Sequence, residues 1–262
     1  MIQYDRIMEK LRMNPLKNVT LLKMLTAHHQ VMDSYLIEQE NNWGILLLLP
    51  ANAFSYDLRA YPNANTIVLL DYSSPDLLPA LIDQLPKDAR LVFKLQDEYS
   101  VLALSEHYSL NKTRCFYSYS TTAAHSFAED RDTVLCEQPD ERLFPLWAAN
   151  GYSSDEIGHY FAEGAFSVSL FEGEFPLSTC FVFRNEEQIW EIGGVHTVEE
   201  GRNKGLAKRV VRTALFHTLH RGYIPRYQVQ DNNIPSIRLA ESLGLPLVVK
   251  LTHWINYIEQ PI

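Results

Sequence analysis

The sequence predicts an α/β protein with two parts, each built from strands and helices. In the first part, short apolar runs bounded by turn residues predict strands within residues 43–50, 65–75, 89–96 and 113–120. A helical period at residues 74–85 separates the middle two runs. In the second part, residues 165–197 predict three consecutive antiparallel strands. A helix, a strand, a helix and a last strand are expected to follow.

The helices are predicted from apolar spacing and end signals. Residues 1–40 carry apolar side chains at helical spacing, so we expect this whole segment to be helical. Two short helices, each closed by a glycine, are expected within residues 140–151 and 153–164. Residues 205–221 show apolar pairs once per turn, with Gly222 after the end. Residues 232–244 form the last predicted helix, with Pro235 in its first turn.

Composition limits the class of protein. The chain has 262 residues and a net charge of -9, which argues against general binding to nucleic acid or anionic membranes. Its longest apolar run, Ile45–Leu49, is too short to span a bilayer, and the first residues lack the apolar core of a signal peptide. Three widely spaced cysteines suggest that the protein resides in the reducing cytoplasm.

An acidic segment at residues 128–142 predicts a joint between a domain of residues 1–128 and one of residues 129–262.

A glycine turn at residues 199–210 carries unusual positive charge. The segment from Gly201 to Arg238 holds eight basic residues and one acid, Asp231, which gives a local net charge of +7. A turn that opens a helix exposes unpaired N–H groups at the positive end of the helix dipole. Basic side chains there favour a pyrophosphate, and Gly205 allows a close approach of the backbone.

A solvated face of the helix accounts for only part of this charge, because Arg202 and Lys204 precede the helix. Neither the Walker motif nor the dinucleotide-binding glycine motif is present in the sequence. His217 and His220 have a spacing that suits a metal, but no third ligand is evident, so we expect no metal.

The turn and the last helix resemble a known family. Residues 202–207, RNKGLA, resemble the R/Q-x-x-G-x-G/A motif of the GNAT superfamily of acyl-CoA-dependent N-acyltransferases. Residues 233–244 resemble that family's N-x-x-S/A-x-x-L-x-E-x-L-G helix. The motifs stand in the family's order of strand, turn, helix, strand and helix, and the resemblance covers roughly residues 130–258.

The resemblance implies a mixed, mostly antiparallel sheet that splays open around coenzyme A. It implies that backbone groups of Val195, His196 and Thr197 bind the pantetheine arm, and that Asn233 lies near this arm. It implies that the turn wraps the pyrophosphate through Arg202, Asn203, Lys204, Gly205, Leu206, Ala207 and Lys208. In glycine N-acyltransferase-like relatives the first domain is a degenerate copy of the same fold, which could apply here.

The resemblance also implies a general base. Glu191 occupies the position of the family's basic glutamate, and residues 191–202, EIGGVHTVEEGR, are similar to the glycine N-acyltransferase pattern. Gly193 and Gly194 inside a strand predict a bulge or a close backbone approach. Many members carry a tyrosine as general acid where this chain has Ala240. The acid is therefore missing or supplied by another group, such as Tyr227 or Tyr257.

These features predict a cytoplasmic N-acyltransferase. We expect it to move an acyl group from acetyl-CoA, or another acyl-CoA, to a primary amine of a small molecule or amino acid. No metal, nucleic acid or membrane is expected to take part, and whether the protein forms a homodimer stays open. The alternative is a non-catalytic sensor of acyl-CoA or a partner-binding module. A transferase acting on aminoacyl or peptidyl groups would need an RNA-binding surface, which the acidic composition does not favour.

Overall fold

The computed structural model describes residues 2–258. The chain forms two compact units: residues up to Phe116 together with those from Val249 onward, and Tyr117–Val248. This division differs from the expected joint at residues 128 and 129. The two units share two strands, residues 111–120 and 247–255, each of which begins in one unit and ends in the other. That residues 129–262 form a domain of their own stays a prediction.

Helices and strands alternate over the first 120 residues. In chain order they are α1 (Ile2–Arg12), α2 (Pro15–His28), β1 (Asp33–Gln39), β2 (Asn42–Pro50), α3 (Ser55–Ala60), β3 (Thr66–Tyr72), α4 (Leu78–Ile82), β4 (Leu91–Leu95), α5 (Glu98–Ser105) and β5 (Asn111–Ser120). The expectation of helix throughout residues 1–40 is wrong for β1. This strand pairs antiparallel with β2, and such cross-strand pairing outweighs a helical apolar pattern.

The later elements follow the predicted order closely. They are β6 (Val134–Cys136), α6 (Phe144–Ala148), α7 (Ser154–Ala162), β7 (Phe166–Glu172), β8 (Phe175–Glu186), β9 (Ile189–Thr197), α8 (Leu206–His220), β10 (Ile224–Gln230), α9 (Ile234–Ser242) and β11 (Leu247–Ile255). Short 3₁₀ turns lie at Pro75–Leu77, Ala124–Ser126, Glu141–Leu143 and Glu199–Gly201. The short strand β6 and the helices α3 and α5 were not predicted.

Each unit contains a mixed sheet. In the first unit the strand order is β1-β2-β3-β4-β11, in which β3 and β4 run parallel and the other neighbours run antiparallel. In the second unit the order is β5-β10-β9-β8-β7-β6. Strands β9 and β10 are parallel, and β6 to β9 form an antiparallel meander. The predicted fold class, a mixed sheet flanked by helices, is confirmed.

Helices cover both faces of the second unit's sheet. On one face, α8 buries Val210, Val211 and Ala214 against strand residues such as Ile192. The opposite face carries an aromatic cluster from α6, α7 and β8, namely Trp147, Phe161, Phe181 and Phe183. Burying an aliphatic or aromatic side chain of this size contributes about 1.5–3 kcal/mol to the free energy of folding, so packing stabilises the helices on both faces of the sheet.

In the described part of the chain, every helix is too short or too polar to span a bilayer.

Candidate active site

Strands β9 and β10 separate partway along their length. Their parallel pairing ends at Arg226 opposite Glu191, although β9 continues to Thr197 and β10 to Gln230. On its other side, β9 stays paired with β8 as far as Thr197. The far half of β9 therefore presents main-chain donors and acceptors towards a gap, where an extended ligand could pair with them as a strand would.

A bulge lies in β9 just beyond this point. The β8–β9 register shifts between Thr179 and Phe181, and Gly194 has a φ of +59°. A Cβ atom on Gly193 would lie 2.7 Å from the Tyr152 hydroxyl oxygen, and one on Gly194 would lie 2.3 Å from a Phe181 ring carbon. The expected bulge and close approach are thus confirmed. The groups that approach the glycines are aromatic rings.

Glu191 is held by two donors at the point where the strands separate. Arg226 Nη1 donates to its Oε2 at 2.6 Å, and Asn185 Nδ2 donates to the same oxygen at 2.5 Å. Arg226 is 4% exposed, and its Nε donates to Ser118 Oγ at 3.2 Å. The Glu191 side chain is 15% exposed, so the ion pair is largely shielded from water. A charge-assisted hydrogen bond of this kind is strong, and removing one of the two partners would leave a buried charge unpaired, which is strongly destabilising.

Two tyrosines line the same face as Glu191. The Tyr160 ring stacks on Phe183 with centroids 4.2 Å apart, and Phe183 is the β8 partner of Glu191. Burial, with the negative charges of Glu156 and Glu191, raises the pKa of Tyr160 to about 12. Burial and the Glu191 charge also raise the pKa of Tyr152. Both phenols therefore keep their protons at neutral pH and can act as hydrogen-bond donors.

The glycine turn adopts a geometry that suits an anion. It begins with a 3₁₀ turn at Glu199–Gly201, Asn203 has a φ of +61°, and Gly205 has a φ of +75°. Gly205 is the N-cap of α8 and offers no side chain to its N–H groups. A Cβ atom there would meet nothing within 4 Å. The first turn of α8 is therefore open to a ligand, with exposed Arg202, Lys204 and Lys208 around it.

Much of the positive charge near this turn is already paired, which corrects the expectation of a free basic island. Arg209 binds Asp130 and Asp132, Arg212 lies 3.7 Å from Asp130, Arg221 binds Glu137, and Arg226 binds Glu191. The sequence could not show this, because Asp130 and Arg209 are 79 residues apart. Among the described residues, no carboxylate partner is found for Arg202, Lys204 or Lys208.

The Asp130–Arg209 pair gives the second unit a measurable acid sensitivity. Hydrogen bonds from Arg209, and then from the Asp132 amide, lower the pKa of Asp130 to about 2. A depressed carboxyl pKa stabilises the fold above about pH 4 and loses that effect as the pH falls towards 2. We expect Asp130→Asn to lower the free energy of unfolding at pH 7 by about 1 kcal/mol, as for a partly exposed pair.

Denaturant unfolding at pH 7 and at pH 2.5 checks this expectation, because the difference in stability between the wild type and Asp130→Asn should be much smaller at the lower pH. Asp132→Asn is the matched control. Asp132 contacts the same arginine but its side chain is 76% exposed, so its loss should be smaller. Equal losses in both variants would contradict the role assigned to Asp130.

The remaining predicted residues lie on β9, at the start of α8 and at the start of α9. Thr197 Oγ1 lies 2.9 Å from Ser178 Oγ, and Asn150 Nδ2 donates to the Val195 carbonyl at 3.4 Å. Burial and the nearby Arg202 charge lower the pKa of His196, which favours a neutral imidazole. The Asn233 side chain caps α9 by accepting from the Ser236 amide at 3.3 Å. Leu206 and Ala207 form the first turn of α8. The contacts of these residues with coenzyme A stay predictions.

The two tyrosines named as substitutes for the missing acid lie elsewhere. Tyr227 is buried in the core with α8 and α9, close to the fully buried Ala240. Tyr257 packs against the core of the first unit. Sequence reasoning missed the partners of Glu191, because Asn185 and Arg226 belong to no local motif. It also missed Tyr152 and Tyr160, which become recognisable only once Tyr152 lies against Gly193 of β9 and Tyr160 of α7 stacks on Phe183 of β8.

His217 and His220, on α8, bind other groups. His217 Nε2 lies 3.0 Å from Glu129 Oε1, and His220 Nδ1 lies 2.8 Å from the Phe216 carbonyl oxygen. Within residues 2–258, no group of three or more His, Cys, Asp or Glu side chains is placed to hold a metal ion. Cys180 lies in the core.

Comparison with known proteins gives one family match. Residues 137–253 match the family described as GNAT acetyltransferase. This segment contains the separating strands, Glu191 and the glycine turn. No curated protein matches the chain. Over these residues the chain is similar to that family.

Solved structures share the fold over nearly the whole chain. An acetyltransferase of the GNAT family from Colwellia psychrerythraea is 12% identical, with a TM-score of 0.58 over 93% of this chain and 97% of that one. A GCN5-related N-acetyltransferase from Kribbella flavida is 13% identical, with a TM-score of 0.56 over 94% and 96%. A third, from Sphaerobacter thermophilus, is 12% identical, with a TM-score of 0.56 over 84% and 78%. At such identities the likeness concerns the fold alone.

Proposed function

We propose that this protein transfers an acyl group, most simply acetyl, from acyl-CoA to a primary amine of a small molecule or amino acid. The observation that carries the proposal is the position of Glu191. It stands where β9 and β10 separate, and the same strand leads to the open glycine turn at its other end. A carboxylate, a gap and an anion site are thus aligned along one strand.

The gap beside β9 supports a site for coenzyme A. Val195 to Thr197 lie on the part of β9 that has no β10 partner, which suits pairing with the amide groups of a pantetheine arm. The α8 N-terminus, with Arg202, Lys204 and Lys208, suits a pyrophosphate. When bound, acyl-CoA would supply the acyl group already activated as a thioester.

The side chains near the gap have matching acid and base roles. Glu191 would accept a proton from the acceptor's ammonium through Oε1, since the bonds from Arg226 and Asn185 both go to Oε2. Tyr152 and Tyr160 would donate hydrogen bonds, or a proton to the departing thiolate, because their raised pKa values keep them protonated. They supply the acid that Ala240 cannot.

The first unit shows a related arrangement without a base, which supports the proposal that it is a degenerate copy. The parallel pairing of β3 with β4 ends at Leu69 opposite Lys94, as that of β9 with β10 ends at Glu191 opposite Arg226. A buried cation thus recurs at the equivalent place. Lys94 binds Asp57 at 2.7 Å, and leucine stands in the place of the glutamate. We therefore assign the chemistry to the second unit.

A thiol-release assay with acetyl-CoA and a panel of primary amines tests the proposed function. Turnover of at least one amine, with the acylated product seen by mass spectrometry, is the expected result. Longer acyl-CoA esters in the same assay would define the acyl group. Binding of acetyl-CoA without turnover of any amine would instead favour the non-catalytic sensor. The cytoplasmic location is part of the proposal and is supported by the free thiols of Cys115, Cys136 and Cys180.

A further inference from the structure

The ion pair between Glu191 and Arg226 restricts the kind of amine that can reach the base. Arg226 is buried, and its charge is balanced by Glu191 Oε2 at 2.6 Å. When Glu191 accepts a proton through Oε1, its carboxylate becomes neutral and the Arg226 guanidinium loses its counter-charge. A buried charge left without its partner is strongly unfavourable. Proton transfer from a simple amine therefore carries a substantial cost.

An acceptor that carries its own carboxylate avoids this cost. The ammonium and carboxylate of a free α-amino acid are borne on one carbon atom. Such a zwitterion can place its ammonium at Glu191 and its carboxylate at Arg226, so that every charge keeps an opposite partner. The insertion replaces one ion pair with two, without leaving an unpaired charge in the gap.

Arg226 is also held in an orientation that suits binding of a carboxylate. Its Nε bond to Ser118 Oγ fixes the plane of the guanidinium, and Ser118 is itself buried. An oriented guanidinium binds a carboxylate through two parallel N–H bonds, which a lysine cannot reproduce. Tyr160 and Phe183 form an aromatic wall on the Glu191 side that could contact the rest of the acceptor.

We propose that the acceptor is a free α-amino acid and that Arg226 binds its carboxylate as the specificity-determining residue. This inference rests on the proposed transferase function and narrows it. It predicts discrimination between amines that differ in the carboxylate alone, whatever the side chain.

The test compares matched acceptors in the wild type and in Arg226→Met. The twenty common amino acids are screened with acetyl-CoA, and the best one is compared with its amide and with the amine lacking the carboxyl group. The wild type should prefer the acid by about a hundredfold in kcat/KM, as for a buried charge contact. Arg226→Met should abolish the preference for the acid, mainly through a rise in KM for the acid of about a hundredfold, in addition to any loss of kcat that acid and amide share because Glu191 has lost its partner.

Two further variants make the test specific. Arg184→Met is the control, because Arg184 lies on β8 beside Asn185 with its side chain exposed, and its kinetics should match the wild type. Arg226→Lys keeps the charge but not the two-bond geometry, and should raise KM for the acid by about tenfold. If the melting curve of Arg226→Met shows that this variant does not fold, Arg226→Lys alone tests whether Arg226 binds the carboxylate.

The outcomes separate this inference from the proposed function. If the wild type acetylates the amide as well as the acid, or acetylates amines but no amino acid, the carboxylate proposal is overturned and the transferase function stands. An unchanged preference for the acid over the amide in the Arg226 variants would also overturn it, because Arg226 would then act only by positioning Glu191. If no amine of any kind is acetylated, the proposed function itself fails.

Discussion

Replacing Glu191 with glutamine should lower turnover by about a hundredfold or more while leaving the affinity for acetyl-CoA nearly unchanged. Glutamine keeps the shape of the side chain, and its carbonyl oxygen can still accept from Arg226 and Asn185. It cannot take a proton from an ammonium. The gap and the glycine turn are untouched, so a defect confined to kcat would identify Glu191 as the base. Steady-state kinetics combined with calorimetric titration of acetyl-CoA measure both quantities.

The pH dependence and a control sharpen this prediction. Raising the pH increases the neutral fraction of the acceptor amine, so the activity of Glu191→Gln should partly recover while that of the wild type changes less. Glu199→Gln is the control, because Glu199 lies in the exposed 3₁₀ turn and should keep full activity. Full activity of Glu191→Gln at neutral pH would show that another residue or a water molecule is the base.

The fold of the second half was predictable because its signals are local. Three strands separated by tight turns, and helices closed by Gly222 and Gly244, are specified by residues within a few positions of each other. Strand β1 was missed because its conformation is set by its pairing with β2 rather than by its own pattern. The division into compact units could not be anticipated from local signals, because β5 and β11 each contribute residues to both.

The site was predictable only where one segment contains it. The glycine turn and Glu191 fall within a single stretch of the sequence, and the structure places them at opposite ends of the separating half of β9. The partners of these residues come from distant segments. Arg226 is 35 residues from Glu191, and Asp130 is 79 residues from Arg209. Counting charges along the sequence therefore overestimated the positive charge available to phosphates, since pairing in space cancels half of it.

Gly205→Leu should abolish the stabilisation of the protein by coenzyme A. The wild type at a coenzyme A concentration of about a hundred times Kd should gain about 2.7 kcal/mol, which raises Tm by roughly 5–10 °C for a chain of this size. The leucine side chain would enter the open space above the α8 N-terminus, where the pyrophosphate is expected. Its Tm should therefore change by less than about 1 °C on addition of coenzyme A. Thermal unfolding with and without the nucleotide measures the difference.

Gly222→Leu separates loss of the nucleotide site from simple backbone strain. Gly222 follows the other end of α8 with a φ of +79°, and a Cβ atom there also meets nothing within 4 Å. Both variants force leucine into the left-handed region, so each should lose roughly 1–2 kcal/mol of stability without ligand. Only Gly205→Leu should lose the response to coenzyme A, because the positive end of the helix dipole lies at Gly205 alone.

Raising the salt concentration should weaken the wild-type response to coenzyme A, since the charges of the exposed Arg202, Lys204 and Lys208 are screened. An equal loss of response in both variants would mean that strain in α8, rather than an obstructed phosphate site, is responsible. A wild type that never responds would show that the turn binds some other group.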